Sequence, residues 1–517
     1  MSLYRNFFSV GAMTMLSRVL GFARDIMLAG VLGTGLAADA FVAAFRFPNL
    51  FRRLFAEGAF NAAFIPLFAG ILEQRGEQAA RKFAGRIISW LLVVLISLLV
   101  LAEIFMPSIM ALFVPGFVDD PVKFEFTVLL ARICFPYLAL MSLMAAFGAV
   151  LNGLGRFIAA AFAPVMLNVV LVAALAFLVL FSAGRGDAAL FLSVGVIFGG
   201  VAQVIIVLWA LRLAGFMPDL RLPGWDRDIK RFWILALPAM LSGGITQINI
   251  FVGTIIASGA ASAISYLYYA DRLYQLPLGI IGIAIGVVLL PELSRHLKGN
   301  RPREAKEAQS KSLLMAMLLG IPSAAALFVL ASPIIEVLFQ RGAFDATATS
   351  ATAAALSVFA FGLPAFVLIK VFQPGFFARE DTLTPTLLAA ASVSLNIGLS
   401  LLLFPEYSHV GIAFATSASA WLNAICLAGF LVWRGHFFVS GAQAAKHLLI
   451  IVCSALMSVV LWAGARVLAP AFAASALPWL QFISLGVLIG LGMTIYFALI
   501  HFTGVARMGE LMAQFRR

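Results

Sequence analysis

The stretch Ile87–Phe113, IISWLLVVLISLLVLAEIFMPSIMALF, decides how the rest of the chain is read. Its one ionisable side chain is Glu103, in a run otherwise made of apolar and small residues. As an α-helix it is about 40 Å long, more than the roughly 30 Å of a bilayer's hydrocarbon core. A helix that is apolar all round must be surrounded by lipid or protein. Similar runs recur along all 517 residues, of which 63% are hydrophobic and 11% charged. A soluble globular protein carries about 25% charged residues. With so few charges the chain cannot coat itself with polar surface, and the apolar runs leave no room for a soluble domain. The other spanning architecture, a closed β-barrel, needs short alternating strands, and the sequence lacks them.

The expected fold class is therefore an all-α integral membrane protein with about fourteen transmembrane helices. The spans are predicted near 7–32, 37–69, 87–113, 127–151, 157–182, 188–211, 232–258, 262–293, 313–338, 350–374, 384–404, 410–433, 447–468 and 479–501. The first stretch mimics a signal peptide, but Arg18, Arg24 and Asp25 interrupt it, and it is expected to be retained as a helix. The isolated Cys134, Cys426 and Cys453 have no metal or redox spacing and read as small packing residues.

The net charge is +12. In a soluble protein that would suggest nucleic acid, but here the basic residues sort by loop. Loops after even-numbered spans hold Arg75, Arg81, Lys82 and Arg86, then Arg221, Arg227, Lys230 and Arg231, then Arg295, Lys298, Arg301 and Arg303. The opposite loops and nearby helix ends offer only Lys123, Arg185, Arg341 and Arg466. By the positive-inside rule both termini are expected in the cytoplasm, with no nucleic-acid partner.

The chain also repeats itself. Met15-Leu16-Ser17 recurs as Met240-Leu241-Ser242 at an offset of 225, and Pro66 recurs as Pro291 at the same offset. Pro107, Phe113 and Gly116 recur as Pro333, Phe339 and Gly342 at 226, and Pro136 and Asn168 as Pro364 and Asn396 at 228. Six spans per unit make the repeats parallel, as in transporters whose two lobes rock about a central substrate. The expected organisation is an N-terminal lobe 1–225, a C-terminal lobe 226–440 and an added helix pair 441–517.

Arg18, Arg24, Arg46, Arg52 and Arg53 fall within the first two spans. Facing lipid, five such residues would cost on the order of 12–17 kcal/mol, so they must face a cavity, a partner or the interface. Spacing pairs Arg18 with Asp25, and sets Asp39, Arg46, Arg53 and Glu57 on one stripe unless Pro48 kinks the helix. Arg24, Arg52 and Arg272 are left without a same-face acid, Asp271 pointing away from Arg272. A surplus of buried guanidinium suits an anionic, phosphorylated substrate. The competing reading is that these arginines hold helices together or snorkel, as expected for Arg132 and Lys370 near span ends. No GxxxxGK[ST] loop, HExxH or histidine cluster occurs, so neither an enzyme nor a bound metal or cofactor is expected. Energy would come from the membrane potential or an ion gradient.

The segments Ser17-Arg18, Gly21-Phe22-Ala23-Arg24-Asp25, Ala38-Asp39-Ala40-Phe41, RFPNLFRRLFAEGAFNAAFIP (46–66) and Tyr269-Ala270-Asp271-Arg272-Leu273 together resemble the MurJ (MviN) family. That family lies in the multidrug/oligosaccharidyl-lipid/polysaccharide (MOP) exporter superfamily. The resemblance covers essentially the whole chain. It implies a lipid II flippase of peptidoglycan synthesis in the bacterial inner membrane, with membrane lipids and peptidoglycan-synthesis proteins as further partners. It implies that Arg18, Arg24, Arg52 and Arg272 engage the lipid II head group, supported by Asp25, Asp39, Asn49, Arg53, Glu57 and Gln275. It also implies that the last two spans hold the undecaprenyl tail. Gln275 stands where some relatives carry an acid. The spans 232–258 and 384–404 contain no Asp or Glu, so coupling is expected to potential or protons rather than to a sodium site. The alternatives are a polysaccharide-precursor flippase, a cation-coupled drug exporter, which would favour acids in its cavity, and a non-transporting scaffold, which has no need of buried arginines.

Overall fold

A computed structural model describes residues 3–52, 59–181, 184–473 and 476–505. Every regular element among them is helical. Nine helical segments of the described residues are long and apolar enough to cross a membrane. The chain forms two compact units, Met1–Ser265 and Tyr266–Arg517.

The first unit holds α1 (Leu3–Leu32), α2 (Leu36–Arg52), α3 (Ala59–Phe113), α4 (Pro121–Cys134), α5 (Tyr137–Gly153), α6 (Ile158–Phe181), α7 (Arg185–Leu213) and α8 (Arg227–Ala257). α3 is two arms joined at Gly76, whose φ of 79° is open to glycine and costly for other residues. The arms lie side by side: Phe64 stacks on Phe83 with centroids 5.7 Å apart, and Phe60 and Phe68 extend the aromatic column. The predicted span 37–69 takes in α2 and the start of α3, and residues 53–58 between them lie outside the described residues. α2 carries Pro48 within it and runs on to Arg52. The predicted span 127–151 falls within one continuous apolar segment, Pro121–Gly153, which kinks between α4 and α5 at Phe135–Pro136, where proline supplies no N–H. α1 packs on α6, α5 and α6 pack on α7, and α8 packs on α3.

The second unit holds all but the first turn of α9 (Ala263–Lys298), then α10 (Pro302–Val329), α11 (Ala331–Phe339), α12 (Ala346–Phe377), α13 (Leu383–Trp433), α14 (Gly441–Val467), α15 (Ala469–Phe472) and α16 (Pro478–Phe502). The predicted span 313–338 is broken at Leu330, between α10 and α11. α13 spans two predicted helices and turns at Ser408, with φ 48° and ψ −133°. Its arms pack against each other, the Ser392 hydroxyl donating to the Ser419 carbonyl at 2.7 Å. Pro364, the repeat partner of Pro136, lies inside a continuous α12 rather than at a break. α14 and α16 form a tight pair, since Cβ atoms at Gly464 and Gly492 would meet Leu488 and Leu461 at 2.6 and 2.8 Å. Tyr496 of α16 ties the pair to α10 by donating to the Leu318 carbonyl at 2.7 Å.

Candidate substrate site

The arginines of α1 sit on a helix that packs along α6, and α6 contributes the residue that orients one of them. Arg24 is only 8% exposed and Asp25 only 2%. The Arg24 guanidinium reaches the Asp25 carboxylate through Nε at 3.0 Å and Nη2 at 2.7 Å. Its Nη1 donates to Oδ1 of Asn168 at 2.9 Å. The Asn168 amide in turn donates to the Ser17 carbonyl at 3.0 Å. Spacing alone had left Arg24 without an acid and given Asp25 to Arg18. The geometry corrects this: sequence neighbours diverge around a helix, but a long guanidinium can fold back to the carboxylate beside it. An ion pair held at this burial fixes the rotamers of both partners, and removing one strands the other. Arg18 is half-buried on the same helix.

Asp39, at the start of α2, is fully buried. One carboxylate oxygen accepts from Lys123 Nζ at 2.8 Å and from the Ser262 N–H at 3.0 Å. The other accepts from the Ser265 N–H at 3.0 Å and the Ser265 hydroxyl at 2.8 Å. Asp39 therefore caps the first turn of α9 from a different helix, satisfying donors that the helix cannot satisfy itself. Lys123 lies at a helix end, in the first turn of α4, and is buried there, its ammonium 3.9 Å from the Phe117 ring centroid. Of the stripe Asp39, Arg46, Arg53 and Glu57, Asp39 is engaged by Lys123 and the start of α9, and Arg46 donates to the Thr254 hydroxyl of α8 at 3.1 Å. Asn49 donates to the Phe45 carbonyl at 2.8 Å, one turn back on α2. Gly116 completes this end of the unit: its N–H donates to the Ser258 hydroxyl at 3.0 Å, and a Cβ there would lie 2.3 Å from the Ser258 carbonyl oxygen.

In the second unit, Arg272 lies over the ring of Tyr268, 4.7 Å from its centroid, and Nη2 approaches the Tyr268 hydroxyl at 3.4 Å. Asp271 points away, as spacing required, and accepts from Gln275 one turn on. Arg132 is exposed in the last turn of α4, and Lys370 is exposed about two turns inside α12 rather than at its end. Arg52 is the last described residue of α2, and its side chain, with Arg53 and Glu57, lies outside the described residues.

The structure thus joins Arg24 and Asp25 to two residues that the charge reading passed over, Ser17 and Asn168. A signal for Asn168 was present: it is one of the few polar side chains that recur between the repeats, as Asn396. That residue is buried too, and accepts from the Ser400 hydroxyl at 3.3 Å. Lys123, Ser262 and Ser265 had no such signal.

What these elements make is a multi-pass membrane protein with a rigid buried arginine and a helical fold shared with MOP-superfamily transporters. One solved structure, an inward-facing multidrug resistance MATE family transporter of that superfamily, superposes with TM-score 0.67 at 15% identity, covering 83% of this chain and 97% of its own. Another, titled "Lipid II flippase MurJ, inward closed conformation", gives TM-score 0.77 at 23% identity over 96% and 98% of the two chains. The family model described as "Lipid II flippase MurJ" matches residues 28–483, and the chain belongs to that family. A relative from Rhizobium tropici named probable lipid II flippase MurJ is 44% identical, covering 100% of this chain and 97% of its own. One of the same name from Rhizobium meliloti (strain 1021) is 45% identical with the same coverage.

Proposed function

We propose that this chain is a lipid II flippase that moves the undecaprenyl-diphosphate-linked peptidoglycan precursor from the cytoplasmic to the periplasmic leaflet by alternating access. The observation that carries this reading is the match, over the full chain, to two relatives named probable lipid II flippase at 44% and 45% identity. The buried arginine geometry supports it. Arg24 is pre-oriented by Asp25 and Asn168, so little side-chain entropy remains to be lost when an anionic head group arrives. Arg18, Arg52 and Arg272 are the other residues assigned to the diphosphate and sugars.

The two buried acids described, Asp25 and Asp39, are each already in ion pairs with cations. That argues against a drug exporter, which would present free acids to a cationic drug. In this reading the protein lies in the bacterial inner membrane with both termini in the cytoplasm, and performs no covalent chemistry. The functional lobes are 1–225 and 226–440, and 441–517 supplies the apolar pair for the lipid tail. Coupling is to membrane potential or protons.

Genetic replacement tests the assignment. In a host depleted of its own lipid II flippase, expression of this chain is expected to restore growth. Failure by a well-inserted, abundant chain would move the substrate to another lipid-linked saccharide.

A further inference from the structure

The segment 214–226 between α7 and α8 has no regular secondary structure, yet it is pinned along α3 over its whole length. The Asp219 N–H donates to the Arg81 carbonyl at 3.1 Å, and the Arg81 guanidinium donates to the Gly215 carbonyl and lies 5.2 Å from the Phe216 ring centroid. Trp90 donates to the Gly224 carbonyl at 3.1 Å, and its ring packs on Trp225 with centroids 5.1 Å apart. Arg86 pairs with Asp226. The close approach requires Gly85, where a Cβ would lie 1.9 Å from the Asp219 carbonyl oxygen.

This strap sits where α3 changes character. Residues 73–86 of α3 carry Glu73, Arg75, Glu77, Arg81, Lys82 and Arg86, whereas Ile87 opens the long apolar run. The strap therefore lies at the level where the helix enters the hydrocarbon. It turns apolar side chains outward there: Leu222 is 89% exposed, Trp225 67% and Leu220 57%. Interleaved with them are the exposed cations Arg221, Arg227, Lys230 and Arg231. The neighbouring acids are already engaged, Asp219 by Arg221, Asp226 by Arg86 and Asp228 by Arg75. Among the described residues no carboxylate pairs with Arg227, Lys230 or Arg231. Indole and leucine at the headgroup level, set among uncompensated cations, fit an anionic lipid surface.

We propose that the strap 214–226, with the first turn of α8, is a preformed docking site for anionic phospholipid headgroups. Trp225 and Leu222 enter the interface while Arg227, Lys230 and Arg231 take the phosphates. Because α3 holds the strap rigid, the site exists before lipid binds. The proposal stands on the membrane reading and is independent of which substrate is moved.

The test uses the full chain in nanodiscs of phosphatidylcholine containing a minor fraction of either brominated phosphatidylglycerol or brominated phosphatidylcholine. The signal is the tryptophan quenching that Trp225→Phe removes. At low salt the anionic quencher is expected to act at least about fivefold more strongly than the zwitterionic one at equal mole fraction, the factor expected if only one of the three basic residues lies near such a surface. The excess is expected to fall as sodium chloride is raised. It should disappear in the Arg227→Glu/Lys230→Glu/Arg231→Glu variant while quenching of the other tryptophans by the zwitterionic lipid is unchanged. Equal quenching by the two lipids in the parent would overturn the proposal and point to a protein partner instead. So would a Trp225→Phe variant that is quenched as strongly as the parent.

Discussion

Asn168 and Arg24, 144 residues apart, meet through a 2.9 Å hydrogen bond between the amide oxygen and one guanidinium nitrogen. This contact turns an arginine on α1 into a group of fixed direction, because Asn168 is itself anchored to the Ser17 carbonyl. A hydrogen bond to a charged group contributes roughly 1.5–3 kcal/mol. Because the bond is made before lipid II arrives, Asn168→Ala is expected to leave the protein inserted and to weaken lipid II binding by the ordering cost of one long side chain, roughly two- to tenfold. Titration of the purified protein with lipid II checks this, and unchanged affinity would show that Asn168 serves packing alone. Asn168→Asp should bind more weakly still, because it sets a second negative charge against the same guanidinium.

The Asp39–Lys123 pair predicts a stability effect rather than a binding effect. Breaking one side of a buried pair costs about 3–5 kcal/mol. Lys123→Met should lower the thermal unfolding midpoint in detergent sharply, since it strands a carboxylate that is 0% exposed. Asp39→Asn should also destabilise, because the amide is a poorer acceptor for the N–H groups of Ser262 and Ser265. The double variant should be less destabilised than the sum of the two, as contacting residues require. Strict additivity would show the pair to be energetically uncoupled.

Gly116 makes a steric prediction. A side chain there cannot avoid the Ser258 backbone, and overpacking of this kind typically costs about 1–3 kcal/mol. Gly116→Ala should lower the unfolding midpoint, whereas Gly253→Ala, where a Cβ meets nothing within 4 Å, should not. Equal midpoints for the two variants would contradict the close contact.

Asp381, in the loop between α12 and α13, predicts a pH dependence. Hydrogen bonds from the Thr384 N–H at 2.9 Å and hydroxyl at 2.7 Å, followed by Arg434 Nη1 at 2.6 Å, hold its carboxyl down to about 2 from the ordinary 3.8. A group depressed in the folded state stabilises above its unfolded pKa, and that contribution is lost as pH falls through the folded value. Asp381→Asn should therefore lower the unfolding midpoint by a constant amount above pH 3.8, with the difference closing as pH approaches about 2. A difference that persists unchanged to the acid end would assign the effect to loop geometry.

Much of this was legible because lipid imposes simple demands. Apolar runs long enough to span had to be helices, and the repeated Pro, Gly and Asn positions predict a duplication inside an otherwise uniform composition. The arginines of α1 stood out because charge in that setting needs a reason. Their partners were less legible. The Arg24–Asp25 contact was missed because helical spacing places Cβ atoms, not the tips of long side chains. Asp39 could not be matched to Ser262 and Ser265, since a cap donated from one helix to the start of another leaves no local pattern. The strap on α3 was visible only as a run of cations and apolar residues between spans. Its pinning depends on Gly85 and two tryptophans far apart in sequence.

The most direct test of the central claim is leaflet-resolved. In spheroplasts depleted of their own flippase and expressing this chain, the fraction of labelled lipid II open to an externally added lipid II-degrading enzyme is measured, alongside Arg24→Ala and Arg272→Ala variants matched for abundance. The account predicts that the parent restores outer-leaflet lipid II and that both variants leave it largely in the inner leaflet. Lipid II that stays inside with an abundant, inserted parent would contradict the substrate, and full exposure with both variants would contradict the arginine site.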